Sequence, residues 1–248
     1  MTEAPETVSE TLVFTRDQLT GQTRSHVKEL ADPVCALHER VVSPFLTLRA
    51  AAAADGIDLV AVSSFRDFDR QLAIWNGKFR GERPMQDRQG RPLDVSALTP
   101  AERVEAILWW SALPGTSRHH WGTDFDVIDA AAMPAGYRLQ VIPAEYHAGG
   151  PFERLTTWLD RHMHAFGFYR PYATDRGGVS PEPWHVSHAP VAGQAAEQFN
   201  LQDLRAAIEA APIEGKPEVL AALEQNYSRY VVNVDAPPAA ARMGPRLA

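Results

Sequence analysis

Residues 117–126 read Ser117-Arg118-His119-His120-Trp121-Gly122-Thr123-Asp124-Phe125-Asp126, and residues 181–185 read Pro181-Glu182-Pro183-Trp184-His185. Together the two segments hold three histidines and three carboxylates in fifteen positions. A packed core rejects such groups unless they find partners. Asp124-Phe125-Asp126-Val127-Ile128 alternates as a strand does, yet strands are depleted in Asp. His119, Asp126 and His185 would supply two neutral imidazoles and one carboxylate. That is a donor set a hydrolytic zinc site uses while keeping one position for water. Glu182, three residues before His185, is not needed as a ligand and is placed to move a proton. Pro183 forbids a helix interior here, so the segment is an extended turn, and no HExxH occurs in the chain. Plainer readings stay open at this point: His119 and His120 as surface loop residues, His185 beside Trp184 as a satisfied core histidine.

Composition narrows the class. The chain has 248 residues, 45% hydrophobic and 22% charged, which fits one or two soluble globular domains and excludes wholesale disorder. Cys35 is the one cysteine, so there is no internal disulfide, and a metal site must be built from His and carboxylates. The formal net charge of -7 argues against a general nucleic-acid binder. Lys28, Lys78 and Lys216 are the lysines, so 21 of the 24 basic residues are arginines. Residues 1–10 show neither the basic nor the apolar region of a secretory signal, and no run of about 18 apolar residues occurs. The expectation is a cytoplasmic protein with no membrane and no nucleic-acid partner.

The elements follow from pattern. Asp32-Pro33 is expected to open a helix, with Val34, Leu37, Val41, Phe45 and Leu48 on its buried face and Gly56 as its stop. Residues 59–63 read as a buried strand and 66–75 as a helix. Residues 77–98, rich in Gly, Pro and charge, read as a long loop of the kind that often carries function. Thr99-Pro100 caps a helix over 101–113. Residues 124–128 form a strand, 152–165 a helix ended by Gly167, Phe168-Tyr169 a strand and 175–178 a turn. C-terminal helices are expected near 200–211, with Asn200 as N-cap, and 217–230. Residues 1–10 are expected to be loose and 236–248 a disordered tail, leaving 1–235 as a single catalytic domain.

The pattern Ser-x-His-x-x-Gly-x-x-x-Asp at 117–126, followed by Glu-x-Trp-His at 182–185, resembles the signature of the VanY-type D-alanyl-D-alanine carboxypeptidases. These are zinc peptidases of the hedgehog/D-Ala-D-Ala peptidase fold. Ser63-Ser64-Phe65-Arg66 with Gln71 resembles the family's Ser-Gly-Tyr-Arg segment and its downstream Gln, and Phe166-Gly167-Phe168 resembles its aromatic-Gly-Phe stretch. The resemblance spans about residues 57–190. It implies an α+β fold: a small, mainly antiparallel sheet carrying the zinc site, with helices packed on one side. It implies that His119, Asp126 and His185 ligate Zn2+. Glu182 would be the general base and then the acid, and Arg66 would stabilise the oxyanion. Ser117 would donate to the substrate's terminal carboxylate, with Gln71 at the same pocket edge. The plainer alternatives are an ion pair of Arg66 with Asp67, Asp69 or Asp124, and turn capping by Ser117. Trp184 is read as packing beneath His185. Asp124 stands where the family commonly has Ala, and could orient a ligand histidine or bind a cationic group. Ser187-His188 replace the family's frequent Arg-Tyr.

The family removes D-alanine from peptidoglycan stem peptides, from D-Ala-D-Ala ends (DD) or after a meso-diaminopimelate or lysine centre (LD). A cytoplasmic location favours an LD-carboxypeptidase trimming tetrapeptide muropeptides in cell-wall recycling. The alternatives are DD activity, a phage-type L-Ala-D-Glu endopeptidase, and an inactive zinc-binding module.

Overall fold

The computed structural model describes residues 11–242. The short helix α1 (Arg16–Leu19) is followed by a two-stranded antiparallel hairpin, β1 (Val27–Ala31) and β2 (Val34–His38). Asp32-Pro33, expected to begin a helix, lies in the turn of this hairpin. The helical spacing of Val34 and Leu37 misled, because Val34 is exposed while Cys35 and Leu37 alternate into the core as strand residues do. Helix α2 (Glu39–Ala54) starts only after His38, whose Nδ1 accepts from the Arg40 amide. Val41, Phe45, Leu48 and Ala52 form its buried stripe.

Strand β3 (Leu59–Ser63) leads into α3 (Phe68–Phe79). Asp67 caps α3 by accepting from the Arg70 amide at 2.8 Å. The helix therefore begins two residues later than expected and runs through Gly77, so the long loop starts at Arg80. Helix α4 (Pro100–Leu108) carries the expected start, with Thr99 and Glu102 forming a reciprocal capping box. It stops five residues short of the expected end, and 109–113 continue as an irregular segment.

Strand β4 (Asp124–Asp129) is followed by α5 (Glu153–His162) and a 3-10 turn over Met163–Phe166 that Gly167 ends. Strands β5 (Phe168–Tyr169) and β6 (His185–His188) complete a four-stranded sheet of order β3-β4-β6-β5, antiparallel at every pairing. Helices α6 (Ala189–Gln198), α7 (Leu201–Ala210), α8 (Lys216–Ala221) and α9 (Leu223–Asn226) close the body. Asn200 caps α7 by accepting from the Asp203 amide. The expected helix over 217–230 is broken into α8, α9 and a π-helical turn over Tyr227–Val232. Residues 239–242, expected within a disordered tail, form α10 (Ala239–Arg242), with Ala241 buried beside Tyr169 and Ala189. Residues 236–238 of that tail carry no regular structure, and residues 243–248 and the expected loose segment 1–10 lie outside the described residues.

All six residues of β4 are buried, so the sheet is covered on both faces. Alternation along the strand divides the labour. Phe125 and Val127 face the apolar core, Phe125 meeting Phe45 of α2 at 4.9 Å and Phe168 at 5.5 Å between ring centroids. Asp124 and Asp126 point the other way, into the site. Burying that aromatic face is what lets β4 hold two carboxylates out of water.

Candidate metal centre

Three separate elements bring the metal-type donors together. His119 sits in a 3-10 turn over Arg118–Trp121, which Gly122 ends with φ +67°. A Cβ at Gly122 would stand 2.6 Å from the His38 amide nitrogen, so only glycine lets the chain turn against the hairpin and enter β4. Asp126 lies in β4, and the β4–β6 register sets His185 directly opposite it. The donor atoms of His119, Asp126 and His185 all fall within 4.8 Å of one another, and all three residues are buried.

Each imidazole is held in one orientation from behind. His119 donates Nδ1–H to the Ser64 carbonyl at 2.9 Å, which leaves Nε2 as a free lone pair 3.7 Å from Asp126 Oδ1. Burial, reinforced by Arg66 and His185 against the pull of Asp126, pushes its pKa down to about 3, so the ring is neutral. His185 donates Nε2–H to Asp124 Oδ1 at 3.0 Å, because an ionised carboxylate can only accept. Its Nδ1 therefore faces Asp126 Oδ1 at 3.2 Å and Glu182 Oε2 at 3.5 Å. Burial opposes charge on His185, but Asp124 and Asp126 overcome it and raise its pKa to about 10. Asp126 Oδ1 is buried with no hydrogen-bond partner. An orphaned carboxylate oxygen facing two ring nitrogens is what a cation would satisfy. The two nitrogens and one oxygen fit a metal ion.

Asp124 is the support of this centre. It is fully buried and accepts four hydrogen bonds. Arg118 Nε (2.7 Å) and His185 Nε2 meet Oδ1; Thr123 Oγ1 (2.5 Å) and Ser187 Oγ (3.0 Å) meet Oδ2. Burial would raise its pKa, but Arg118, His185 and Thr123 hold it far below the usual carboxylate range. Arg118 also donates to Ser187 Oγ and Tyr169 Oη and lies over the Trp121 ring at 4.8 Å. Sequence reading raised a histidine-orienting role for Asp124 but missed Arg118. The available signal was a charged residue inside a buried motif beside a strand carboxylate.

Glu182, Arg66, Ser117, His119, Asp126 and His185 line one cavity of about 400 Å³. Burial pushes the Glu182 carboxyl up to about 7, with Asp126 adding to that and His185, Arg66 and Lys78 opposing it. Arg66 forms none of the three ion pairs considered from sequence. Its Nη1 donates to Gln71 Oε1 at 2.8 Å and its Nη2 to Ser63 Oγ at 2.9 Å. Gln71 is itself tied to the Ala112 carbonyl at 2.7 Å and is fully buried behind Arg66. Ser117 makes no side-chain capping bond to the turn it precedes. His120 is satisfied on both ring nitrogens, donating to the Arg66 carbonyl and accepting from the Gly115 amide, so it holds backbone rather than metal. Ser187 belongs to the Asp124 network, and His188 packs against Phe168. Tyr172, not singled out from sequence, stands edge-on to His185 at 5.0 Å and lines the cavity.

Residues 35–191 match the family model described as VanY, D-alanyl-D-alanine carboxypeptidase, and the chain belongs to that family. A Haemophilus influenzae protein of uncharacterised function is 37% identical over 122 residues, 48% of this chain and 93% of that protein. An Enterococcus faecalis D-alanyl-D-alanine carboxypeptidase is 29% identical over 167 residues, 66% of this chain and 52% of its own length. A crystal structure of a vancomycin-resistance D,D-pentapeptidase VanY in complex with Zn(II) is 23% identical. That likeness covers 78% of this chain and 88% of the other, with a TM-score of 0.49. Among the described residues no helix is long and apolar enough to cross a membrane.

Proposed function

We propose that this protein is a zinc-dependent carboxypeptidase releasing the terminal D-alanine of peptidoglycan stem peptides, acting as an LD-carboxypeptidase on tetrapeptides in cell-wall recycling. The observation that carries the reading is the convergence of three metal-type donors, an unliganded carboxyl and a braced guanidinium on one cavity. His119, Asp126 and His185 hold the ion; two imidazoles and one carboxylate with room for a further ligand is the donor chemistry of hydrolytic zinc. When bound, the ion supplies Lewis-acid chemistry that activates water and polarises the scissile carbonyl.

The chain's own residues do the rest. Glu182, its carboxyl drawn toward neutrality by burial, takes the proton from the attacking water and passes it to the leaving amine of D-alanine. Arg66, held by Gln71 and Ser63, offers its remaining N–H groups to the oxyanion. Ser117 Oγ donates to the terminal carboxylate that an exopeptidase must recognise. Asp124 keeps the His185 ring in the tautomer that exposes Nδ1.

Support for the LD reading comes from the cavity. It extends from the metal ligands past Ile74 to Lys78, more room than the methyl group of a D-alanine needs and enough for a diamino acid. The DD reading is favoured by the family description. Purified protein should release D-alanine from a tetrapeptide ending in L-centre–D-Ala and leave a D-Ala-D-Ala pentapeptide far slower. Release from the pentapeptide alone would reject the LD assignment.

A further inference from the structure

Helix α3 lines the cavity with Ile74 and Lys78, and the proposed chemistry does not use Lys78. Gln71, Ile74 and Lys78 are spaced three and four apart, one face of a helix. Gln71 braces Arg66 at the metal end. Lys78 lies seven residues on, about 10 Å along the axis at 1.5 Å per residue. The irregular segment after α4 anchors both: Gln71 donates to the Ala112 carbonyl, and Lys78 Nζ donates to Ser111 Oγ at 2.6 Å. Lys78 lines the same cavity, with Ile74, Leu108 and Trp110 as apolar neighbours. Its hydrogen bond to a neutral hydroxyl leaves the charge unanswered, and among the described residues it has no ion pair within 4 Å. Burial pushes its pKa down to about 8, with Glu182 opposing and Arg66 and Arg83 adding.

A second cation stands beside it. Arg83 lines the cavity, and among the described residues its guanidinium has neither a hydrogen bond nor an ion pair. Its side chain lies across Gly77, where an added Cβ would come within 3.1 Å of Arg83 Cδ. A glycine inside a helix is disfavoured relative to alanine. Here it opens the groove through which Arg83 reaches the cavity next to Lys78. Lys78 and Arg83 thus place two cations without ion-pair partners among the described residues on the wall of the cavity that Arg66 and Glu182 also line.

We propose that Lys78, with Arg83, binds a free carboxylate of the substrate peptide on the acyl side of the scissile bond. The proposal rests on the carboxypeptidase reading for the direction of the peptide. Two stem-peptide groups have this chemistry: the α-carboxylate of a γ-linked D-glutamate and the side-chain carboxylate of meso-diaminopimelate.

The test is equilibrium binding, which does not require turnover. Zinc-loaded Glu182→Gln protein is titrated calorimetrically with four tetrapeptides: both carboxylates free, either one amidated, and both amidated. One single amidation should weaken binding about 10- to 100-fold, the worth of a charge-assisted hydrogen bond, and identifies the group held. Adding Lys78→Met should produce the same loss for the free peptide and none for the peptide already amidated there, while Lys78→Arg should restore most of the affinity. Equal affinity for the free and doubly amidated peptides would overturn the proposal. So would equal loss for both peptides in Lys78→Met, or no binding of any peptide. Absence of D-alanine release by the wild type, with this binding pattern intact, would instead refute the catalytic reading alone.

Discussion

Replacing Asp124 with alanine should destabilise the protein even with no metal present. Asp124 is fully buried, and its removal leaves Arg118 Nε and His185 Nε2 without their acceptor at 2.7 and 3.0 Å. Thr123 and Ser187 can rotate their hydroxyls to other partners; a guanidinium cannot stop being charged. Breaking a buried ion pair by removing one member costs about 3–5 kcal/mol. In a chain of this size each kcal/mol moves Tm by about 2–4 °C, so the metal-stripped variant should melt about 6–20 °C below wild type. Asp126→Asn makes the contrast. Asp126 meets the His185 and His119 rings at 3.2 and 3.7 Å but carries no guanidinium, so that variant should lose less stability than Asp124→Ala in metal-free protein yet fail to hold metal. The pH dependence follows from the sign of the shift. Asp124 is depressed in the folded state, so its stabilisation is complete above the ordinary carboxylate pKa of about 4 and disappears only in stronger acid. Differential scanning calorimetry in chelator at pH 7 reads the effect. An Asp124→Ala protein melting within 2 °C of wild type, about the effect of half a kcal/mol, would refute the view that this carboxylate supports the centre.

Glu182→Gln should lower D-alanine release by about 10²- to 10⁴-fold while metal analysis finds the zinc content unchanged. In metal-free protein the Glu182 carboxyl, raised from 4.5 to about 7, favours the folded state fully below pH 4.5 and loses that contribution as pH rises through 7. Denaturant titrations should then show wild type losing on the order of 3 kcal/mol relative to Glu182→Gln across that window. Arg66→Lys should cost about 10²- to 10³-fold in kcat. Gln71→Leu should cost about 10-fold by freeing Arg66, with little further loss when the two are combined, as steady-state kinetics on the double variant would show.

The site was more legible in the sequence than the fold around it. Asp124 and Asp126 stand out because a strand has no reason to bury carboxylates without partners, and the Gly122 turn sets their distance from His119. The Thr99 and Asn200 caps announce their helices by chemistry confined to one turn, whereas the Asp67 cap was not read and that helix start was placed two residues early. Asp32-Pro33 failed as a helix start because Asp-Pro serves a hairpin turn equally well, and which use wins depends on β1 pairing with β2. The end of α4 and the broken helix after Lys216 were set by packing, which no local pattern records. Arg118 escaped notice for the same reason: its partner lies six residues along and its remaining contacts, Tyr169 and Ser187, come from strands β5 and β6.

Zinc stoichiometry measured together with D-alanine release, on protein as purified, stripped and reloaded, bears most directly on the whole reading. One zinc per chain is expected, with release lost on stripping and regained on adding zinc, and both zinc and release absent in His119→Ala and His185→Ala. Full D-alanine release from the stripped protein, or stoichiometric zinc retained in those two variants, would contradict it.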